Sequence, residues 1–179
     1  MRKYIEKYFL QIILIVAVAL NFSALFITFQ AKDGILYACI AKTMAKNNDF
    51  INLYNEGNDW LDKPHFPFWV TAVSFKIFGF INFAYKLPGI LFMMIGAYYT
   101  YLLAKSLYNK QIALWSAIIL LTAEHIVISN SDVRAEPYLT GLIIAAIFHF
   151  YKNYSGRKMV HLVAACVFTA CAIMTKGMF

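Results

Sequence analysis

Residues 32–67 read KDGILYACIAKTMAKNNDFINLYNEGNDWLDKPHFP, and this stretch decides how the chain folds. It lies between long apolar runs, yet it carries five of the nine carboxylates: Asp33, Asp49, Glu56, Asp59 and Asp62. Burying a carboxylate in hydrocarbon costs roughly 2.5–3.5 kcal/mol or more, so such groups stay on the watery side or in a functional cavity. The stretch is therefore expected to cap a membrane surface, with Asp33 and Lys63 at the edges of a reaction cleft that the apolar runs hold in place.

Composition supports a membrane reading. The chain is 61% hydrophobic and only 14% charged, against about 25% charged in a soluble domain. The formal net charge of +7 raises the question of nucleic acid. The basic residues, however, sit in short clusters beside apolar runs, which is the membrane pattern. No zinc-finger spacing or other nucleic-acid motif accompanies them, so no nucleic-acid partner is expected. Cys39, Cys166 and Cys171 have unrelated spacings and read as small packing residues.

Taken in order, a basic start (Arg2, Lys3, Lys7) leads into an apolar run over 9–29. A signal peptide has an apolar core of only about 7–15 residues and a small-residue cleavage site. This run is longer and meets acidic residues instead, so it reads as a retained span that starts in the cytoplasm. Asp33-Gly34 is expected to turn the chain into an amphipathic helix over 35–46, with positions 36, 37, 40, 41 and 44 as its apolar face. Residues 47–63 read as loop. Pro64 and Pro67 bracket the entry to an aromatic helix, interrupted by Lys76 and so interfacial or partly inserted. Further spans are expected over 87–103, 111–129, 137–151 and 159–174.

The fold class is thus all-α integral membrane, with about five transmembrane helices and interfacial helices in the first extracytoplasmic loop. The whole of 1–179 is read as one transmembrane domain, with 32–80 as that loop. Short segments 105–110 and 152–158 hold two and three basic residues, whereas 130–136 holds one, Arg134. That bias puts Asp33 and Asp132 on the outer face. The chain is expected to continue beyond this N-terminal portion.

Several residues in this layout suit chemistry at a membrane surface. Asp33 reads either as a helix N-cap or as a general base that takes a proton from an attacking hydroxyl. Lys63, followed by Pro64, suits an anionic phosphate as a point charge, or simply pairs with Asp62. Asp132, Arg134 and Glu136 crowd a short connection; Arg134 either pairs with a carboxylate or grips a phosphate oxygen. Glu124-His125 within the third span hints at a cavity or at mutual pairing, while His149 and His161 fall toward the inner ends of spans, away from the carboxylates. No metal-ligand cluster, Gly-rich phosphate loop or Ser/His/Asp order is present. No metal ligand or cofactor is assigned, and a divalent metal is left open.

Three stretches in order carry a resemblance: Asp33 with Tyr37-Ala38-x-x-Ala41 after the first span; Trp60-Leu61-Asp62-Lys63-Pro64 before an aromatic helix ending SFKIFG; and Tyr85-Lys86-Leu87-Pro88 opening the next span. The SDVRAEPYL stretch and Lys176-Gly177 add to it. The chain resembles the N-terminal portion of GT-C class membrane glycosyltransferases, of the aminoarabinose-transferase-like and protein-mannosyltransferase-like kind. Gly34 departs from the family habit of a second acidic residue after the first Asp.

The resemblance implies transfer of a sugar, with inversion, from a polyprenyl-phosphate donor to a lipid or protein acceptor. The expected setting is the extracytoplasmic face of a bacterial inner membrane, with membrane lipids as surroundings and this portion inactive by itself. It also implies Asp33 as the catalytic carboxylate, Lys63 and Arg134 as donor-phosphate ligands, and Asp62, Asp132 and Glu136 as cleft-lining residues. The competing reading is a non-catalytic multi-pass protein, a transporter subunit or a polyprenyl-phosphate-binding factor. The clustering of charge at one membrane face, rather than at mid-span, separates the two.

Overall fold

Apolar periodicity and proline placement account for most of the element order. The computed structural model describes residues 2–28 and 32–177, with side chains from Tyr8 onward. The side chains of Arg2, Lys3 and Lys7, the end of the expected first span at Phe29, and Met178 and Phe179 lie outside the described residues. The elements are α1 (Arg2–Ser23), a short 3-10 turn (Ala24–Phe26), α2 (Lys32–Asn47), β1 (Tyr54–Asn55), β2 (Asn58–Asp59), α3 (Phe66–Phe78) and α4 (Asn82–Leu107). They continue with α5 (Lys110–Thr122), α6 (Glu124–Ser131), α7 (Glu136–Gly156) and α8 (Met159–Lys176).

Among the described residues, three helices are long and apolar enough to cross a membrane: Tyr8–Phe26, Asn82–Leu107 and Met159–Lys176. The pair α5 and α6 adds a fourth only if it is counted as one broken span. The third expected span is therefore not continuous. Ala123 takes ψ 127, which interrupts the helical hydrogen-bond ladder, and the two halves bend by 51°. Glu124 and His125 then stand exposed at the start of α6, neither buried in a cavity nor paired with each other. α7 has 21 residues but polar groups at both ends, and it is not among the spanning helices.

Two further boundaries differ from expectation for local reasons. Asp33-Gly34 does not turn the chain: α2 already begins at Lys32, with Asp33 in its first turn and Gly34 buried. An anion in a first helical turn complements the positive end of the helix dipole. Nor does Tyr85-Lys86-Leu87-Pro88 open a helix, because α4 starts at Asn82 and holds Pro88 inside. Proline lacks the N–H that would bond the carbonyl four residues back. That carbonyl, on Ala84, instead accepts the Ser74 hydroxyl from α3 at 2.6 Å. The neighbouring helix thus satisfies the group that the proline frees.

The polar stretch after α2 is ordered by short-range bonds. Asp49 accepts from the backbone N–H groups of Ile51 and Asn52, both at 3.0 Å, and from the Asn52 side chain at 2.9 Å. These bonds to its charged form hold the Asp49 carboxyl below its ordinary pKa. Tyr54 pairs with Asp59 across a two-residue hairpin turn, and both turn residues, Glu56 and Gly57, have positive φ. Two consecutive left-handed residues match the twist of paired strands.

The main core joins α2, α3, α4 and α7 through Ile40, Met44, Phe68, Tyr85, Tyr138 and Leu142. Positions 40, 41 and 44 of the expected α2 face are buried, with 36 and 37 packed beside them. α4 and α7 approach closely because both present glycine: a Cβ on Gly141 would run into the Phe92 carbonyl, and one on Gly96 would lie 3.0 Å from Gly141 Cα. Small residues allow such backbone contact between membrane helices. The start of α4 lies beside the end of α1, where Asn82 Nδ2 donates to the Ile27 carbonyl at 2.5 Å.

Candidate active-site cleft

Two charge clusters meet at this end of the helices. In the first, Arg134 reaches two carboxylates: Nη1 lies 3.0 Å from Asp33 Oδ2, and Nε lies 3.1 Å from Asp132 Oδ2. The first contact is a hydrogen bond. The second is an ion-pair contact without hydrogen-bond alignment, and Asp132 Oδ1 is buried with no hydrogen-bond partner. Asp33 itself is 62% exposed, against 13% for Asp132. One carboxylate thus stands open to solvent and the other supports the guanidinium from within.

The segment between α6 and α7 is placed by core packing. Val133 is buried beneath Arg134, and the Tyr85 hydroxyl donates to the Val133 carbonyl. Pro137 stands in the first turn of α7, where its missing N–H costs no bond.

The second cluster surrounds Lys63, whose Nζ lies 3.2 Å from Asp62 Oδ2. Both line a cavity of about 320 Å³ together with Trp60, His65 and Lys176. Lys176, from the end of α8, lies 3.3 Å from Glu136 Oε1. The Trp60–His65 segment is held from behind: His65 Nε2 donates to the Ile51 carbonyl at 2.7 Å, and Trp69 Nε1 donates to that of Phe50 at 2.6 Å. Lys63 is half-buried and Asp62 exposed, and a pair open to solvent on one side contributes only about 1 kcal/mol to stability. Pairing is therefore a weak reason for a lysine to stand at the mouth of a cavity.

Tyr37 lies between the clusters. Its ring packs edge-on against Phe68 at 5.2 Å and Trp60 at 6.0 Å. Burial first, then the negative charges of Glu136, Asp62 and Asp33, push its hydroxyl pKa up to about 12, with Arg134 acting in the opposite sense. The hydroxyl therefore stays protonated near neutrality, a neutral donor among carboxylates. Residues from three separate segments thus face one locale.

The structure thus joins Asp33, Arg134 and Asp132 directly, and joins Lys63 to Asp62 as the pairing alternative expected. Glu136 enters through Lys176. Tyr37 and Lys176 were not read as site residues. Tyr37 does follow Asp33 by four positions, the spacing that puts two residues on one helix face. Among the described residues, no group of three or more His, Cys, Asp or Glu comes together as a metal site would need. Asp33, Asp62 and Asp132 are each paired with a cation instead.

Comparison with known proteins agrees with this architecture. The crystal structure of ArnT from Cupriavidus metallidurans in the apo state superposes with a TM-score of 0.87 at 20% identity, covering 97% of this chain and 33% of that one. The same protein bound to undecaprenyl phosphate gives 0.86 at 20% identity, covering 95% and 32%. Two undecaprenyl phosphate-alpha-4-amino-4-deoxy-L-arabinose arabinosyl transferases are similar in sequence. That of Erwinia tasmaniensis is 25% identical over 150 residues and that of Proteus mirabilis 29% over 150, each match covering 81% of this chain and 27% of the relative. The chain therefore spans little more than a quarter of these relatives' length.

The fold, the charged cleft and these relatives define an all-α integral membrane protein of the GT-C glycosyltransferase class. The family model for dolichyl-phosphate-mannose-protein mannosyltransferases matches residues 62–179, and the chain belongs to that family.

Proposed function

We propose that this chain forms part of an enzyme that transfers a sugar from a polyprenyl-phosphate donor to a lipid or protein acceptor, with inversion at the anomeric carbon. The chain acts as one transmembrane domain, with residues 32–80 and the connection before α7 on the extracytoplasmic side of a bacterial inner membrane. The observation that carries this reading is that Tyr37 lies within electrostatic reach of Asp33, Asp62, Glu136 and Arg134, between the open carboxylate and a cavity lined by Lys63 and Lys176.

In this mechanism the acceptor oxygen attacks the anomeric carbon as the carbon–oxygen bond to the phosphate breaks. Asp33 takes or orients the acceptor proton, within its reach as a general base. Arg134 fixes the carboxylate in place through its 3.0 Å hydrogen bond. Lys63 faces the leaving phosphate, where charge set in place beforehand is worth most as the anion develops. Asp132 and Glu136 hold Arg134 and Lys176 in place, and Asp62 holds Lys63.

The test uses membranes carrying the protein expressed from its complete reading frame, supplied with a labelled polyprenyl-phosphate sugar. Wild type is compared with Asp33→Asn, which removes the charge and nearly keeps the shape. Transfer that falls by about a hundredfold or more, with insertion intact, supports the reading. Equal transfer returns Asp33 to a structural pairing with Arg134. Lipid-phosphate binding without turnover on any donor favours a binding protein.

A further inference from the structure

Lys86 lies on α4 and is fully buried, although its place beside an apolar run resembles a simple flanking charge. Its ammonium donates to the Ile27 carbonyl at 2.7 Å, the Ala24 carbonyl at 3.2 Å and the Ser131 carbonyl. Ala24 opens the 3-10 turn that ends α1, and Ser131 is the last residue of α6. Carbonyls at helix ends lack intrahelical donors, and a cation there also meets the negative end of the dipole. Ser131 directly precedes Asp132, the partner of Arg134.

A second bond joins the same two segments at depth. Asn130 Nδ2 donates to Asn21 Oδ1, and both residues are buried. Asn21 also donates to the Leu121 carbonyl at 2.9 Å, so the end of α1 is tied to both halves of the broken α5–α6 pair. The Lys63 side of the cleft is held separately, by His65 on Ile51 and Trp69 on Phe50.

Resting on the transferase reading above, we propose that Lys86 is a positioning residue: by tying the Ser131 carbonyl to those of Ala24 and Ile27, it places the Asp132–Arg134 pair that holds Asp33. It does not touch substrate. Its loss misplaces the carboxylate relative to the guanidinium and leaves the phosphate side of the cleft where it was. The kinetic consequence is a split: the chemical step slows and donor affinity holds.

The test compares Lys86→Met, which fills the space without a donor, and Lys86→Gln, a shorter neutral donor, in the complete protein. The expected result for Lys86→Met is a kcat lower by about a hundredfold, the effect of an ångström-scale misplacement, with donor KM within about twofold of wild type. Lys86→Gln is expected between the two. An unchanged kcat, or a kcat and donor KM that move together, overturns the proposal; if Lys86→Met does not insert, Lys86→Gln is judged by the same criterion.

A readout independent of turnover uses spin labels at Thr28 and Ile128, both exposed, in a background with Cys39, Cys166 and Cys171 changed to serine. Lys86→Met is expected to broaden their distance distribution, and an unchanged distribution overturns the proposal. If wild type transfers no sugar from any donor while the distribution still broadens, it is the transferase reading that fails.

Discussion

Arg134 Nη1 lies 3.0 Å from Asp33 Oδ2, joining the start of α2 to the connection before α7. The same guanidinium touches Asp132 through Nε at 3.1 Å. A lysine ammonium is a point charge on a flexible stem and cannot reproduce a planar fork that meets two carboxylates from different atoms. Arg134→Lys is therefore expected to lower transfer by about tenfold to a hundredfold while the protein still inserts. In a double-mutant cycle with Asp33→Asn, the two losses should be strongly non-additive. Independent, additive losses would mean that the pair does not act as a unit.

Lys63 permits stability and function to be separated. Its partner Asp62 is exposed and the pair contributes about 1 kcal/mol, so Lys63→Met, which keeps the half-buried stem, should leave the thermal midpoint in detergent nearly unchanged. Binding of a polyprenyl phosphate should weaken by about tenfold or more, as expected for a lost charge-assisted contact. A large drop in midpoint with unchanged lipid-phosphate affinity would make the lysine structural.

Tyr37 predicts a specific pH dependence. Its pKa is raised from 10.0 to about 12 in the folded protein, so the unfolded chain loses this proton first as pH rises. The corresponding stability is fully present below pH 10 and is lost between pH 10 and about 12. Wild type should therefore lose stability more steeply over this window than Tyr37→Phe, which keeps the ring contacts with Trp60 and Phe68. Unfolding curves for the two proteins that stay parallel from pH 9 to 12 would contradict this.

Gly141 tests the closest helix contact. An added methyl meets the Phe92 carbonyl, a backbone atom that cannot swing aside. Gly141→Ala is expected to cost about 1–3 kcal/mol, the usual range for overpacking, read as a lower unfolding midpoint. Gly156→Ala, with nothing near its added Cβ, should stay close to wild type. Equal midpoints for the two variants would show that α4 and α7 can separate freely.

What could be read in advance follows from how local each signal is. The apolar face of α2 at positions 40, 41 and 44 was legible because helical period alone determines it. The entry to α7 was legible because Pro137 marks it. The break at Ala123 was not: alanine is the best helix former, and the apolar run continues through it. Lys86 looked like a charge flanking a span, since no sequence pattern announces that three distant carbonyls will surround it. His149 and His161 read as separate residues toward the inner ends of spans, but their Nδ1 atoms meet at 2.9 Å across α7 and α8, a pairing that only tertiary packing decides. The six expected site residues come from three separate segments, and their convergence was expected from charge clustering and resemblance rather than from any spacing.

The distance in sequence between Asp33 and Arg134 is 101 residues, and this also sets a clock. A ribosome adding about 5–20 residues per second delivers the guanidinium on the order of five to twenty seconds after the carboxylate. During that interval Asp33 has no partner from the second half of the cleft. The cleft is therefore assembled late, after α6 has been made, and a nascent chain halted before that point carries the carboxylate without the device that orients it.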